Sequence, residues 1–188
     1  MLTIATPTAP KGILFLCRDN GARSLMAEAI LNNFAGGDMR AYSAGIEPLH
    51  EIALPIVQVI ESHLVATKQL RPKRWNEFDG AEGRKLNFVF SICDPRAGEA
   101  CAYWPGQPLR AHWHIAEPRE GADINEYYRA LDETYEHIFR CVNGFLNLPL
   151  EVMQKFALSR ESDDGSGAPF VPDHLRLTLL PARVPTAG

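Results

Sequence analysis

The sequence predicts one α/β domain in three layers, with a central four-stranded parallel sheet flanked by helices. Apolar segments rich in β-forming residues alternate along the chain with segments of helical periodicity, the order typical of a parallel sheet. The length of 188 residues and the hydrophobic share of 46% suit a single core. We therefore expect a flexible leader at 1–11, the α/β domain at 12–150 and a C-terminal extension at 151–188.

The four strands are predicted at 12–17, 39–44, 87–93 and 110–113. The first helix is predicted at 23–34, and Gly36 and Gly37 are expected to end it. The apolar residues expected on one side of it are Leu25, Met26, Ala29, Ile30 and Phe34. A second helix is indicated by apolar residues that recur at helical spacing from Ile52 to Leu64.

The longest helix is predicted at about 123–147, where one apolar stripe continues through the whole segment. Asp123 and Glu126 fit a capping box at its start, and Pro149 ends it. The stripe consists of Ile124, Tyr127, Tyr128, Leu131, Tyr135, Ile138, Phe139, Val142, Phe145 and Leu146. Cys141 lies beside this stripe and is interpreted as a packing residue.

The C-terminal extension is expected to be partly disordered or packed on a partner chain. Residues 160–169 are polar and rich in glycine and serine, a composition typical of linkers. Residues 174–181 alternate weakly and would fit either an added edge strand or a contact with a partner, so a homodimer is left open.

Composition and charge argue against several classes of partner. The net charge of -4 gives no reason to expect nucleic acid or an acidic membrane surface, and no segment is apolar enough to span a bilayer. The N-terminus lacks the pattern of a signal peptide. The four cysteines include no C-x2-C pair and the histidines are scattered, so no metal site is expected. We expect a cytoplasmic protein without a bound cofactor.

The segment CRDNGARS, from Cys17 to Ser24, contains the clearest chemical signal in the chain. It joins a buried strand to a helix, a geometry that points backbone N–H groups and the positive end of a helix dipole at one place. An oxyanion fits there, and Arg23 can bind it with two parallel hydrogen bonds. The same positive field is expected to lower the pKa of Cys17 and favour its thiolate, the nucleophilic form.

Four segments in this order resemble the low-molecular-weight tyrosine phosphatase family and, within it, the arsenate reductases that recycle through thioredoxin. They are LFLCRDNGARSLMAEA at 14–29, YSAGIEP at 42–48, FVFSICD at 88–94 and HWHIAEP at 112–118. The resemblance covers roughly residues 12 to 148.

The resemblance implies a role for each site residue. Cys17 would attack the oxyanion, Arg23 and the loop amides would bind it, and Ser24 would donate a hydrogen bond to the Cys17 sulfur. The acid that protonates the leaving oxygen would be Glu117. The remaining residues of the anion-binding loop are Arg18, Asp19, Asn20, Gly21 and Ala22.

The resemblance to the reductases further implies that a thiol relay follows the first attack. Cys93 would attack Cys17 and release arsenite, and Cys101 would then attack Cys93. Thioredoxin or another thiol reductant would reduce the resulting disulfide. The carboxyl ends of neighbouring parallel strands share a sheet edge, which places Cys93 near the loop.

The chain departs from the family pattern at four points. The acid is glutamate instead of aspartate, seven residues instead of six separate Cys93 from Cys101, and Gly21 replaces a residue with a side chain. Arg18 and Asp19 replace a small residue and a glycine. We expect Asp19 to take a left-handed conformation, with Arg18 offsetting its charge.

Two alternatives to arsenate reduction stay open. A phosphomonoesterase of the same fold needs only Cys17, Arg23 and Glu117, whereas a non-catalytic regulatory protein would bind an oxyanion without turnover. His112 and His114 are interpreted as structural or substrate-rim residues. The basic residues Lys68, Arg71, Lys73 and Arg74 are interpreted as a solvated face.

Overall fold

The computed structural model describes residues 10–78, 86–99, 104, 109–119 and 123–148. Within these ranges the elements are β1 (Lys11–Cys17), α1 (Arg23–Phe34), β2 (Met39–Gly45), α2 (Leu54–Ser62), β3 (Leu86–Cys93), β4 (Leu109–His114) and α3 (Ile124–Leu146). Two short 3-10 turns lie at Trp75–Phe78 and Pro95–Ala97. Most of the expected leader at 1–11 and the whole extension at 151–188, with its edge strand, lie outside the described residues.

The four strands form one parallel sheet in the order β2-β1-β3-β4. The predicted α/β fold with a four-stranded parallel sheet is therefore confirmed. The strand register pairs Cys17 with Gly45 and Cys93 with His114. Because parallel strands end at the same edge of a sheet, Cys17 and Cys93 lie at that shared edge.

Strand β1 is buried on both faces, which explains its continuous apolar sequence. Ile13 and Phe15 belong to the large core cluster that α1, α2 and α3 cover. Leu14 and Leu16 belong to a smaller cluster on the other face, completed there by aromatic residues. Those aromatic residues are Phe78 and Trp104.

Helix α1 follows its predicted bounds, and Gly36 and Gly37 come directly after it with φ of 62° and 94°. Positive φ is inexpensive for glycine, so these two residues end the helix without strain. Of the apolar residues predicted on one side of this helix, Phe34 is 51% exposed in the last turn. Its ring contacts Phe139 edge-on.

Helix α2 is shorter than the Ile52–Leu64 periodicity predicts. It runs only from Leu54 to Ser62, and Pro55 lies in its first turn, where proline is tolerated. The chain leaves the helix through Leu64, which has a φ of 59° and is 91% exposed. Apolar periodicity therefore continued beyond the residues that the helix can bury.

Helix α3 begins where the predicted cap places it. The Asp123 carboxylate accepts the backbone N–H groups of Asn125 and Glu126, at 2.7 and 3.0 Å. From Leu131 onward the stripe is buried except for the half-buried Phe139 and Leu146, whereas Ile124 in the first turn is 55% exposed. No helix in the described ranges is both long and apolar enough to cross a membrane.

Candidate active site

The loop between β1 and α1 positions the two main chemical groups. Cys17 ends β1 and Arg23 begins α1, and their side chains are 2% and 1% exposed. The N-cap residue of α1 is Ala22, which has no side-chain acceptor for the first-turn amides. These amides and the helix dipole therefore face the loop and can bind an anion.

The left-handed residue of the loop is Asn20, with a φ of 49°, and not Asp19 as expected. Asparagine and aspartate both tolerate this conformation. Gly45, at the end of β2, packs against the same backbone. A Cβ at Gly45 would lie 2.8 Å from the Asn20 nitrogen and 2.9 Å from the Asp19 carbonyl carbon. A side chain there would displace the loop.

Three groups among the described residues hydrogen-bond the Cys17 sulfur, and one of them is the Asp19 carboxylate, to which the thiol donates at 3.7 Å. The Asn20 backbone N–H donates to it at 3.2 Å, and Ser24 Oγ lies 2.9 Å from it. Asn20 Nδ2 also donates to Ser24 Oγ at 2.8 Å. Because Ser24 accepts from Asn20, its own proton is free to donate to Cys17, as the resemblance implies.

The pKa of Cys17 is raised to about 11, mainly by burial of the thiol, with the nearby Asp19 carboxylate adding to the increase. The expected lowering is therefore wrong for this structure. The positive charge of Arg23 does lower the pKa of Cys17, as expected. Its positive charge, however, is already matched by Glu99 and Glu117, so little of it is left to stabilise a thiolate.

The Arg23 guanidinium is held by three acceptors. Glu99 accepts from Nη1 at 2.8 Å and from Nη2 at 2.7 Å, and the Ile115 carbonyl accepts from Nη1 at 3.1 Å. Glu117 forms an ion pair with Nη2. The buried Nε has no hydrogen-bond partner among the described residues. Its N–H can donate to a further acceptor.

Glu117, the acid implied by the family resemblance, lies beside Arg23. Its pKa is raised to about 7, mainly by burial and in addition by the negative charges of Asp19 and Glu99. The positive charge of Arg23 opposes this increase. A carboxyl group with this pKa is partly protonated near neutral pH and can donate a proton there.

A buried polar network supports the loop from below. Asn20 Nδ2 donates to Ser43 Oγ at 2.9 Å, and Ser43 donates to Glu28 Oε2 at 2.5 Å. Lys73 Nζ forms a salt bridge with the same Glu28 oxygen at 2.9 Å, while its backbone N–H donates to Asn20 Oδ1 at 2.7 Å. The network thus fixes both ends of the Asn20 amide, and through Ser24 it reaches Cys17.

This network does not follow from the sequence. The basic run predicts a solvated Lys73, but the structure places it at 6% exposure against Glu28 at 7%. Arg71, two residues earlier, does lie on the surface, where it pairs with Glu77. No local pattern separates Lys73 from its neighbours.

We expect Lys73→Met to destabilise the fold by about 3–5 kcal/mol, because it leaves the Glu28 carboxylate buried without its partner. The matched control is Arg71→Met, which breaks an ion pair whose side chains are 60% and 40% exposed and should cost about 0–1 kcal/mol. Urea unfolding measures both. Equal losses for the two variants would contradict a supporting role for the buried pair.

Cys93 and His112 meet at the ends of β3 and β4. Cys93 is disulfide-bonded, and its Sγ lies 3.1 Å from His112 Nε2. A disulfide sulfur carries no proton, so the imidazole is the donor. Burial, followed by the charge of His114, lowers the pKa of His112 to about 4, which keeps the ring neutral. Its N–H can stabilise a Cys93 thiolate when the disulfide opens.

The other predicted site residues have different surroundings. Arg18 is exposed and pairs with Glu47 at 3.8 Å. The Asp19 carboxylate accepts the Gly21 N–H at 2.9 Å. Cys101 lies outside the described residues. In the part of the chain that the structure describes, no group of three or more His, Cys, Asp or Glu could hold a metal ion.

Cys141 is a free thiol in α3, buried to 5% exposure in the large core cluster. Burial raises its pKa to about 11, so it is protonated at neutral pH. The structure places it in the core, as a packing residue requires.

Comparison with known proteins agrees with this geometry. The model of the family described as low molecular weight phosphotyrosine protein phosphatase matches residues 12–155. An arsenate reductase of Bacillus cereus is 32% identical over 130 residues, covering 69% of this chain and 92% of that protein.

Solved structures show the same fold. An arsenate reductase from Archaeoglobus fulgidus superposes with a TM-score of 0.54 at 26% identity, over 70% of this chain and 98% of that one. A tyrosine phosphatase from Erwinia amylovora also gives a TM-score of 0.54, at 14% identity over 78% of this chain and 96% of its own. At that identity the second likeness concerns the fold alone.

Proposed function

Because this chain belongs to the low molecular weight phosphotyrosine protein phosphatase family, we propose that it is an arsenate reductase with a thiol relay. Membership identifies it as an enzyme, which sets the non-catalytic alternative aside. The observation that favours reduction over hydrolysis is the disulfide-bonded Cys93, at the same sheet edge as Cys17. Similarity to arsenate reductases from two organisms supports it.

The first step in this proposal is attack by the Cys17 thiolate on arsenate bound at Arg23 and the loop amides. A sulfur–arsenic bond forms and an arsenic–oxygen bond breaks. Glu117 gives its proton to the leaving oxygen, which departs as water. Ser24 and the Asn20 amide stabilise the thiolate before attack, through the hydrogen bonds that they already make to Cys17.

The second step transfers two electrons to arsenic. The Cys93 thiolate attacks the Cys17 sulfur, a disulfide forms, and the electron pair of the sulfur–arsenic bond stays on arsenic. Arsenic(V) becomes arsenic(III), and arsenite leaves. The pairing of Leu16 with Ser91 sets Cys93 one register position beyond Cys17, at the same sheet edge on the adjacent strand. Because successive residues of a strand point to opposite faces, the attack requires the end of β3 to move.

The third step regenerates Cys17. A Cys101 thiolate attacks Cys93, frees the Cys17 thiolate and leaves a Cys93–Cys101 disulfide for thioredoxin or another dithiol to reduce. The donor N–H of His112 stabilises Cys93 as the leaving thiolate in that reduction. The test is arsenate turnover with thioredoxin as the electron donor, and hydrolysis of aryl phosphates without arsenate turnover would contradict the proposal.

The second candidate is a phosphomonoesterase of the same fold. It is favoured because the site contains both a nucleophile, Cys17, and a proton donor. Glu117 has a pKa of about 7 and forms an ion pair with Arg23. Hydrolysis would use the same first step, with a phosphate ester in place of arsenate and water as the second nucleophile. It would need neither Cys93 nor a reductant.

We expect the rate of aryl-phosphate hydrolysis to rise with pH up to about 7 and to level off above it, because Glu117 then loses the proton that it donates while Cys17, with a pKa of about 11, is still gaining thiolate. Glu117→Gln should remove this break near pH 7, so that the rate keeps rising above it, and should lower the rate by about 10²–10⁴-fold. The groups facing the carboxyl are Arg23, Asp19 and Glu99.

A matched control is Glu133→Gln, an exposed carboxylate of the surface cleft that Glu117 also lines. It should retain both the rate and the break near pH 7. If the break persists in Glu117→Gln, another group is the acid.

A further inference from the structure

Glu99 binds Arg23 in the way that a substrate oxyanion would. Its two carboxylate oxygens accept from Nη1 and Nη2 at 2.8 and 2.7 Å, a bidentate pair. The Arg23 side chain is 1% exposed and that of Glu99 is 13% exposed, so little water screens the contact. Arsenate or phosphate would need the same two N–H groups.

A tight turn after β3 carries Glu99 to this position. The turn is capped by Asp94, whose side chain accepts the Arg96 N–H, and Gly98 reverses the chain with a φ of 75°. The Glu99 N–H donates to the Asp94 carbonyl at 3.1 Å, and Glu99 Oε2 accepts the Asp94 N–H at 2.8 Å. Both polar groups of the Asp94 backbone therefore hold Glu99 in place.

Glu99 is ionised in this arrangement. Burial by itself would raise its pKa, but the hydrogen bonds from Arg23 and from the Asp94 amide hold that pKa below its usual range. A second anion approaching Arg23 would meet this charge together with those of Asp19 and Glu117. The site as it stands is therefore closed to an oxyanion unless Glu99 leaves.

We propose that Glu99 makes oxyanion binding conditional on the redox state, by occupying Arg23 when Cys93 is disulfide-bonded and leaving it when Cys93 is reduced. The inference rests on the proposed roles of Arg23 and of a Cys93–Cys101 disulfide. Such a disulfide closes a loop that contains the whole Asp94–Glu99 turn. Closing this loop reduces the entropy of conformations in which the turn is open, and so favours Glu99 on Arg23.

The consequence for the cycle is that oxidised enzyme does not bind substrate it is unable to reduce. After arsenite leaves and the disulfide reaches Cys93 and Cys101, Glu99 fills the emptied site. Reduction of that disulfide releases the turn, and Arg23 regains a free positive charge. The same change would restore to Cys17 the electrostatic stabilisation that Arg23 lacks in the structure.

The test is titration of the protein with inorganic phosphate, followed by calorimetry, in its oxidised and dithiothreitol-reduced forms. Thiol counting verifies the redox state. We expect the reduced wild type to bind phosphate about tenfold or more tightly than the oxidised form. Glu99→Gln keeps the shape but removes the charge, so it should bring the oxidised form to within about threefold of the reduced one.

The control is Glu47→Gln, which removes an exposed carboxylate that pairs with Arg18 beside the loop without contacting Arg23. It should keep the wild-type difference between the two forms. The inference is overturned if oxidised and reduced wild type bind phosphate equally, or if Glu99→Gln keeps the full difference. Absence of phosphate binding in every form would contradict the proposed function as well, so the two failures are distinguishable.

Discussion

Replacing Cys17 by serine is expected to abolish both arsenate reduction and aryl-phosphate hydrolysis, by on the order of 10⁴-fold or more. A serine hydroxyl is a far weaker nucleophile at neutral pH, and it is unable to form the disulfide that the relay needs. Phosphate binding should survive, because Arg23 and the loop amides remain. Steady-state rates measure the loss, and calorimetry with phosphate shows that the loop is intact.

The matched control for this variant is Cys141→Ser. Cys141 is also a buried free thiol whose pKa is raised to about 11, but it lies in α3 within the core cluster. Its replacement should leave both rates near wild type. Activity retained in Cys17→Ser, or lost equally in Cys141→Ser, would show that Cys17 is not the nucleophile.

Replacing Cys93 by serine is expected to separate the two reactions. Arsenate turnover should fall to background, because no thiol remains at the neighbouring strand end to attack Cys17 and reduce the arsenic. Hydrolysis of aryl phosphate should stay within about twofold, since Cys17, Arg23 and Glu117 are unchanged. Both rates are measured on the same preparation, with thioredoxin present for the arsenate reaction.

The contrary results for Cys93→Ser are equally clear. Equal arsenate turnover in variant and wild type would remove Cys93 from the reaction. Loss of both activities together would indicate that the substitution damaged the loop, which the phosphate affinity reveals. His112, whose imidazole donates to the Cys93 sulfur, remains in the variant to hydrogen-bond the serine.

The sheet could be predicted because its signals are local. Strand β1 is an unbroken apolar run buried on both faces, and the loop and α1 follow it directly in sequence. Helix α3 has a cap at Asp123 and a long stripe, and these two signals agree. Leu64 and Ile124 continue the apolar pattern but are exposed, because periodicity does not show where the neighbouring elements stop covering a helix.

The site was less predictable because its charges meet across long separations in sequence. Arg23 and Glu99 are 76 residues apart, and Glu28 and Lys73 are 45 apart. Charged side chains are usually solvated, so neither contact follows from local sequence. The raised pKa of Cys17 does not follow from the motif either, because the motif contains Arg23 but reveals neither the burial of the thiol nor the carboxylates that match the charge of Arg23.

The most direct test of the account is a single turnover of fully reduced protein with arsenate and no external reductant. The relay predicts one equivalent of arsenite per protein molecule, with the loss of two thiols as a disulfide forms between protein cysteines. Mass spectrometry should find that disulfide at Cys93. Aryl-phosphate hydrolysis without any arsenite, with every thiol retained, would contradict the relay and identify the protein as a phosphatase.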